Sequence, residues 1–336
     1  MNQEDNFHSR LGTPSISLVV PVLNEAHLVA GFVDVVRVEL ATRGWRYEIL
    51  FVNDGSTDGT QDEILAQAVC DSRVRLINLS RRFGKEAALS AGLRYALGEV
   101  VIPIDVDLQD PPALIPVFVD RWREGYDVVY GERVTRYGDG WFKRVSACLF
   151  YKLFNWLSPT HIPENSGDFR LLDRRVVDTI NQLHERSRFM KGLFAWVGYR
   201  SIGVRFERPS RASGTSKWSN WRLWNFALDG LLSFSTVPLR IWSYVGATAA
   251  LLAFTYGSFI IIRTLVFGVD LPGYASLLTT VLFLGGIQLL SVGILGEYLG
   301  RVMMETKARP LFIVESLQGG PGLASDVQQR SVERTP

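Results

Sequence analysis

From residue 15 to about residue 210 the chain alternates short apolar runs with stretches whose apolar residues recur every three or four positions. Ile16 to Val22, Tyr47 to Asn53, Val74 to Leu79 and Val100 to Asp105 are rich in Val, Ile, Leu and Phe and have the length of buried strands, while segments such as Lys85 to Leu97 carry the helical spacing. Nearly continuous apolar strands separated by helices predict an α/β domain whose mostly parallel sheet is covered on both faces. Ligands of such sheets gather at the carboxyl ends of the strands. Those ends hold Asn24 and Glu25, Asp54, Arg81 and Arg82, then Asp105 and Asp107.

Farther along, the pattern changes. Ile241 to Ile262 and Gly273 to Gly296 contain no charged residue. At ~1.5 Å per residue each run can cross a hydrocarbon core of ~30 Å. They predict two transmembrane helices, 241–267 and 273–299; core helices of a soluble protein rarely run so long without a charge. Arg211, Lys217, Arg222 and Arg240 precede the first run and Arg301, Lys307 and Arg309 follow the second, whereas the connector holds only Arg263 and Asp270. By the positive-inside rule the catalytic domain and both termini face the cytosol.

Two segments ahead of the spans have an amphipathic spacing. In 141–158, Phe142, Val145, Leu149, Leu153 and Trp156 can share one face, with Lys143, Arg144 and Lys152 on another. In 211–240, Trp218, Trp221 and Trp224 lead into Leu228, Leu231 and Leu232. Both fit helices lying in a membrane interface, and both also fit ordinary core helices. Residues 1–14 and the Gly-, Ser-, Gln- and Arg-rich end of 300–336 are expected to be largely disordered. Gly286, Gly293 and Gly300 recur seven apart and offer a small-residue stripe to the other span or to a second subunit, so a homo-oligomer stays open.

Composition narrows the function. With 36 Lys plus Arg against 34 Asp plus Glu, no global basic field points to nucleic acid, and any anion must be bound locally. The two cysteines, Cys70 and Cys148, give neither a disulfide framework nor a zinc site. The amino-terminal residues lack an apolar core of signal-peptide length, so this end is expected to remain cytosolic.

The densest chemical signal is DVDLQDPP, Asp105 to Pro112. Asp105 and Asp107 at a strand end, with Gln109 two positions on, supply hard oxygen ligands for Mg²⁺ or Mn²⁺ bridging a diphosphate. The same residues suit a helix start capped by Asp110 before Pro111. NDGSTDGT, Asn53 to Thr60, is a turn whose Asp54 can also accept hydrogen bonds from a base or ribose. In PVLNE, Asn24 can cap a helix while Glu25 reaches a nucleoside. RRFGKEAA puts Lys85 at a helix start, where a cation opposes the helix dipole unless an anion lies nearby.

In this order and spacing, PVLNE, NDGS, RRFGKE and DVDLQDPP resemble the inverting glycosyltransferases of family 2, whose fold is the GT-A type. Together with GDFRLLDR (Gly167 to Arg174), SGTSKW (Ser213 to Trp218) and two terminal spans, the chain is similar to the polyisoprenyl-phosphate glycosyltransferases, bactoprenol glucosyltransferases among them, over residues 15 to 310. The resemblance implies that Pro21, Leu23, Glu25 and Asp54, with Lys85 and Asp105, hold a nucleotide sugar. It makes Asp105, Asp107 and Gln109 the ligands of a divalent cation and Asp168 the catalytic carboxylate, with base, orienting group and plain ion pair to Arg170 or Arg174 as its open roles. Asn53 stands where many relatives carry Asp.

A polyisoprenyl phosphate acceptor needs cations at the membrane, and Arg133, Arg144, Arg211 and Lys217 are placed for it in the sequence. The implied reaction is one inverting displacement at the cytoplasmic (inner) membrane, glucose from UDP-glucose being the first choice, with a separate flippase acting on the product. GDP-mannose and aminoarabinose donors fit the same motifs. A processive synthase would add spans and a Gln-x-x-Arg-Trp motif, both missing here, and a non-catalytic scaffold would be expected to have lost an acidic ligand.

Overall fold

A computed structural model describes residues 10, 12–133, 163, 166–186, 188–207, 237–267 and 273–319. In chain order the elements are β1 (Ser15–Val22), α1 (Ala26–Ala41), β2 (Arg46–Asn53), α2 (Thr60–Cys70), β3 (Val74–Leu79), α3 (Lys85–Tyr95) and β4 (Val100–Pro103). A 3-10 turn, Pro112–Leu114, opens α4 (Ile115–Arg123), followed by β5 (Val128–Arg133), β6 (Ser166–Asp173), α5 (Arg174–Gln182), α6 (Met190–Trp196) and β7 (Ser201–Phe206). Two long helices, α7 (Val237–Phe267) and α8 (Tyr274–Thr306), precede a last strand, β8 (Val314–Gln318).

The strands form one sheet in the order β7-β5-β6-β4-β1-β2-β3-β8. The neighbours β1–β2, β1–β4, β2–β3 and β5–β7 are parallel. After β3 the chain returns across β1 to lay down β4, so the strand order reverses between β1 and β4, the place where such sheets open a ligand crevice. The mostly parallel α/β domain is as expected. The exceptions are β6, antiparallel to both β4 and β5, and β8, antiparallel to β3.

Alternate strand residues feed two cores. Ile16, Leu18, Val20, Ile49, Phe51 and Leu76 pack with α1, α2 and α4 on one face. Val19, Leu50, Val52 and Ile77 pack with α3, α5 and α6 on the other. Helix α3 approaches β1 so closely that a Cβ at Gly92 would overlap Val19 Cγ1, which accounts for glycine in the middle of a helix.

Both ends of the chain differ from expectation. Within 1–14, Arg10 is buried: its guanidinium bonds to Asp127 (2.7 Å), Asp173 (2.8 Å) and the carbonyls of Trp122 and Tyr126. Asp173 also accepts from Trp122 Nε1 (2.7 Å) and from the Arg175 backbone, capping α5. In the tail, Val314–Gln318 is a sheet strand, because VESLQ alternates side chains and meets the unpaired edge of β3. The segments 141–158 and 211–236, with Arg144, Arg211 and Lys217, lie outside the described residues.

Helices α7 and α8 comprise 31 and 33 residues. Among the described residues one stretch, Phe283–Thr306 of α8, is long and apolar enough to cross a membrane by length and composition. A Cβ at Gly286, Gly293 or Gly300 would meet nothing within 4 Å, so this stripe faces away from α7.

Replacing Arg10 by Ala removes one of the two guanidiniums that Asp127 and the buried Asp173 share and leaves Arg175 as the other; breaking a buried ion pair costs up to ~3–5 kcal/mol. Arg10→Ala is expected to lower the melting temperature of the full chain clearly, followed by circular dichroism; an unchanged melting curve would mean that the amino-terminal contact adds nothing to stability.

Candidate functional site

At the carboxyl end of the parallel strands, the loops after β1 and β2 are joined to each other. Asn24 donates its N–H to Ser56 Oγ (3.0 Å) and accepts from Thr57 N (2.8 Å), while Glu25 N donates to Thr60 Oγ1 (2.9 Å). Asn24 was expected to cap α1. Instead its backbone is left-handed, φ 55°, and the exposed N–H groups at the start of α1 are satisfied by side chains of the neighbouring loop. Pro21 closes the parallel register beside Val52, and Leu23 follows, half-buried, at the edge of the crevice.

Asp54, expected to hold a nucleoside, has a buried carboxylate that accepts from Phe83 N (2.6 Å) and Gly84 N (2.9 Å). Burial raises its pKa above the ordinary carboxylate value, opposed by these two N–H groups and by Arg82 and Arg81. Gly55 and Gly84 have φ +71° and +101°, and a Cβ on Gly55 would lie 2.7 Å from Arg82 N. Asp54 and Gly55 thus fold the RRFG loop onto the NDGS loop and set the direction in which α3 begins.

That direction brings Lys85 to the end of β4. Its ammonium lies 2.7 Å from Asp105 Oδ1 and 2.9 Å from Asp168 Oδ2. Asp168 arrives through the antiparallel strand: β6 pairs Val101 with Leu172, and extending this register past the end of β4 puts Asp105 opposite Asp168. Burial opposes the Lys85 charge, but Asp105 and Asp168 outweigh it and hold its pKa well above the lysine range. Burial likewise opposes ionisation of Asp168; Lys85, then Lys191 and Arg170, overcome it and hold the carboxyl well below its usual range. The cation at the helix start is thus answered by two carboxylates, not by the dipole.

Of the two arginines proposed as ion-pair partners of Asp168, Arg170 lies within electrostatic range. Arg174 bonds instead to the carbonyls of Ala96 and Gly98. Asp110, expected as a helix cap, lies 3.8 Å from Arg133 Nη2, and Pro111 stands at the N-cap of the Pro112–Leu114 turn. Gly167 leaves room for that guanidinium, since a Cβ there would stand 2.9 Å from Nη2. Arg133 is thereby brought beside the DVDLQDPP loop.

Lys191 and Glu86 were not singled out in the sequence. Lys191 is in the first turn of α6, behind the cationic run RSRFMK that could have drawn attention to it. Glu86 accepts from Met190 N (2.9 Å), and burial, then the Asp168 charge, push its pKa up to about 7. It fastens the start of α3 to the start of α6.

Asp107 Oδ1 accepts from Gln109 N (3.2 Å), and Gln109 is buried. Among the described residues no three His, Cys, Asp or Glu side chains converge as a cage. Two aspartates at one strand end do fit Mg²⁺ or Mn²⁺ held by one or two carboxylates and completed by phosphate and water. The ammonium on Asp105 marks that carboxylate as a position already receiving a cation.

A crevice at the strand-order reversal, lined by tied loops and by alternating carboxylates and cations, is the architecture of a nucleotide-dependent transferase. Residues 17–180 match glycosyl transferase family 2, and residues 237–302 match the GtrB C-terminal hairpin. The chain is 50% identical over 307 residues to the SfII prophage-derived bactoprenol glucosyl transferase of Shigella flexneri, covering 91% of this chain and 99% of that one. It is 53% identical over 311 residues to an uncharacterized glycosyltransferase of Synechocystis, covering 91% and 96%. The crystal structure of mannosyl-3-phosphoglycerate synthase from Rubrobacter xylanophilus superposes with a TM-score of 0.47 at 19% identity, over 67% of this chain and 73% of that one. The chain belongs to glycosyl transferase family 2 and is a glycosyltransferase with a GT-A-like α/β fold.

The loop contact of Asp54 has a measurable consequence. Asp54→Asn leaves one acceptor oxygen for the Phe83 and Gly84 N–H groups and turns the other into a donor, so one of these bonds is lost or weakened, at ~1–3 kcal/mol. Amide exchange at Phe83 and Gly84 is expected to accelerate at least tenfold; unchanged protection there would return Asp54 to a free ligand-binding role.

Proposed function

We propose that this chain transfers glucose from UDP-glucose to undecaprenyl phosphate at the cytoplasmic membrane, with inversion at the anomeric carbon. The observation that carries the reading is the meeting of Lys85, Asp105 and Asp168 at one sheet end, in a chain half identical over most of its length to a bactoprenol glucosyl transferase. The nucleoside lies along the crevice edge formed by Pro21, Leu23 and Glu25, with Asp54 acting through the loop it folds. Asp105 and Asp107, with Gln109, would hold a divalent cation, which would supply positive charge to the diphosphate of the donor.

In the reaction a phosphate oxygen of the lipid attacks the anomeric carbon as the bond to the nucleotide diphosphate breaks, and the electron pair leaves with UDP. Lys85 supplies positive charge to that leaving group. The lipid phosphate is already largely ionised near neutral pH, so no proton has to be removed from it. Asp168, held ionised by Lys85, is a weak base; its role is to orient the acceptor and the sugar. Arg133, Lys191, Arg144, Arg211 and Lys217 supply cations for the acceptor phosphate.

The membrane assignment rests on α7 and α8, whose outward residues, among them Leu251, Phe254, Phe259, Leu265, Leu289 and Leu295, are exposed to an extent unusual for apolar side chains in water. Both helices span the bilayer, and the outward glycine stripe of α8 offers a face to a second copy. Because two spans do not build a path for the product, a separate flippase carries the glycolipid across.

Incubation of the purified chain with undecaprenyl phosphate and a panel of radiolabelled nucleotide sugars is expected to give a lipid-soluble product from UDP-glucose. Asp168→Asn should cut its formation ~100-fold while UDP affinity, measured by calorimetry, changes little. A product from GDP-mannose alone would reassign the sugar, and no product from any donor would favour a non-catalytic scaffold.

For topology, a reporter inserted in 268–271 is expected to read as periplasmic and reporters at either terminus as cytosolic. A cytosolic reading at the connector would make the two helices a re-entrant hairpin.

A further inference from the structure

Three polar side chains lie in one row across the β3 edge of the sheet. Asn53 ends β2, Asn78 is its register partner on β3, and Ser316 is the partner of Asn78 on β8. Asn53 Nδ2 donates to Asn78 Oδ1 (3.0 Å), and Asn78 Nδ2 donates to Ser316 Oγ (3.0 Å). At the other end, Asn53 Oδ1 accepts from Ser56 N (3.0 Å) in the NDGS loop. Both asparagines are buried, each 3% exposed.

The direction of this chain of bonds is fixed. A backbone N–H can only donate, so Asn53 must turn its oxygen to Ser56; its NH₂ then faces Asn78, which must present oxygen there and NH₂ to Ser316. Ser316 Oγ, which can accept or donate, closes the row by taking the Asn78 NH₂. Without its hydroxyl, Asn78 keeps an unpaired buried donor, and the side chain must shift to find another partner. Ser56 is also the residue whose Oγ receives Asn24 N, so the row ends on the clamp between the two loops of the crevice.

The row begins on a strand that only the short link 307–313 separates from α8. The end of α8 is itself fixed to the catalytic domain, since Glu305 accepts from Arg186 N (2.8 Å). We propose that β8 is a positioning element for donor binding: through Asn78 and Asn53, Ser316 sets Ser56 and thereby the clamp of the two loops that hold the nucleotide. The strand that follows the helical hairpin thus acts on the nucleotide at the far end of the row. This rests on the reading of those loops as the nucleotide site.

The test uses the full chain with UDP-glucose and undecaprenyl phosphate, comparing Ser316→Ala, Ser316→Thr and Asn24→Gly. Ser316→Ala is expected to raise the donor KM about fivefold, as the loss of one buried hydrogen bond would. Turnover and acceptor KM should stay close to wild type, the melting temperature should fall by a few degrees at most, as one unpaired donor would cause, and Ser316→Thr, which keeps the hydroxyl, should restore the donor KM. Asn24→Gly keeps the N–H given to Ser56 Oγ but removes the Oδ1 that accepts from Thr57 N, the other bond between the two loops, while tolerating the left-handed backbone, and it should raise the donor KM whatever the role of β8. An unchanged donor KM in Ser316→Ala beside a raised one in Asn24→Gly would overturn the relay alone. Equal impairment of the Ala and Thr variants, in step with a lower melting temperature, would reduce β8 to a structural strand. An unchanged donor KM in Asn24→Gly would overturn the nucleotide site itself, and the relay with it.

Discussion

The site is organised around one ammonium group between two carboxylates. The β4–β6 register sets Asp105 opposite Asp168, and Lys85 stands between them at 2.7 and 2.9 Å; without it, two like charges would face each other in a partly buried crevice. Several features of the fold serve to hold that lysine. Gly84 takes the left-handed turn before α3, Asp54 fixes the N–H groups of Phe83 and Gly84, and Glu86 ties the same helix start to α6 through Met190 N. A carboxylate and a glycine of the nucleotide-loop motifs therefore act on the reaction centre through the backbone.

Much of this was legible in the sequence, for physical reasons that differ by element. The parallel strands β1 to β4 are buried on both faces, so their apolar runs are nearly continuous and their polar ends stand out. That made Glu25, Asp54, Lys85, Asp105 and Asp107 visible as one group. The junction of Asp105 with Asp168 was not visible, because it depends on β6 entering the sheet antiparallel between β4 and β5, and antiparallel insertion leaves no trace in hydrophobic periodicity. Lys191 escaped for the same reason.

Where local propensity misled, a distant partner had taken over the local role. Asn24, Asp54 and Asp110 each stand where a cap or ligand is expected. The N–H groups of Asn24, Glu25 and Ala26 at the approach to α1 are met by Ser56, Thr60 and Asp58, and the Asn24 side chain bonds Thr57. Arg10 lies in a polar stretch that looks unstructured, yet two carboxylates and two carbonyls converge on its guanidinium. VESLQ is short and polar, and becomes a strand because the edge of β3 offers it a ladder.

The attachment of the last helix constrains how an acceptor could approach. Glu305, in the final turn of α8, receives the Arg186 N–H, and the same segment leads through Arg188 to Lys191, whose charge acts on Asp168. Arg188 in turn bonds to Ser90 Oγ on α3, the helix that Lys85 opens. The carboxyl end of the helical hairpin and the cationic side of the reaction centre are thus joined by one short piece of chain. In the proposed reaction the cations that act on Asp168, Lys191 and Arg170 among them, would draw the acceptor phosphate, and the loops after β1 and β2 the nucleotide. An in-line, inverting displacement would then need the attacking and leaving oxygens on opposite faces of the anomeric carbon.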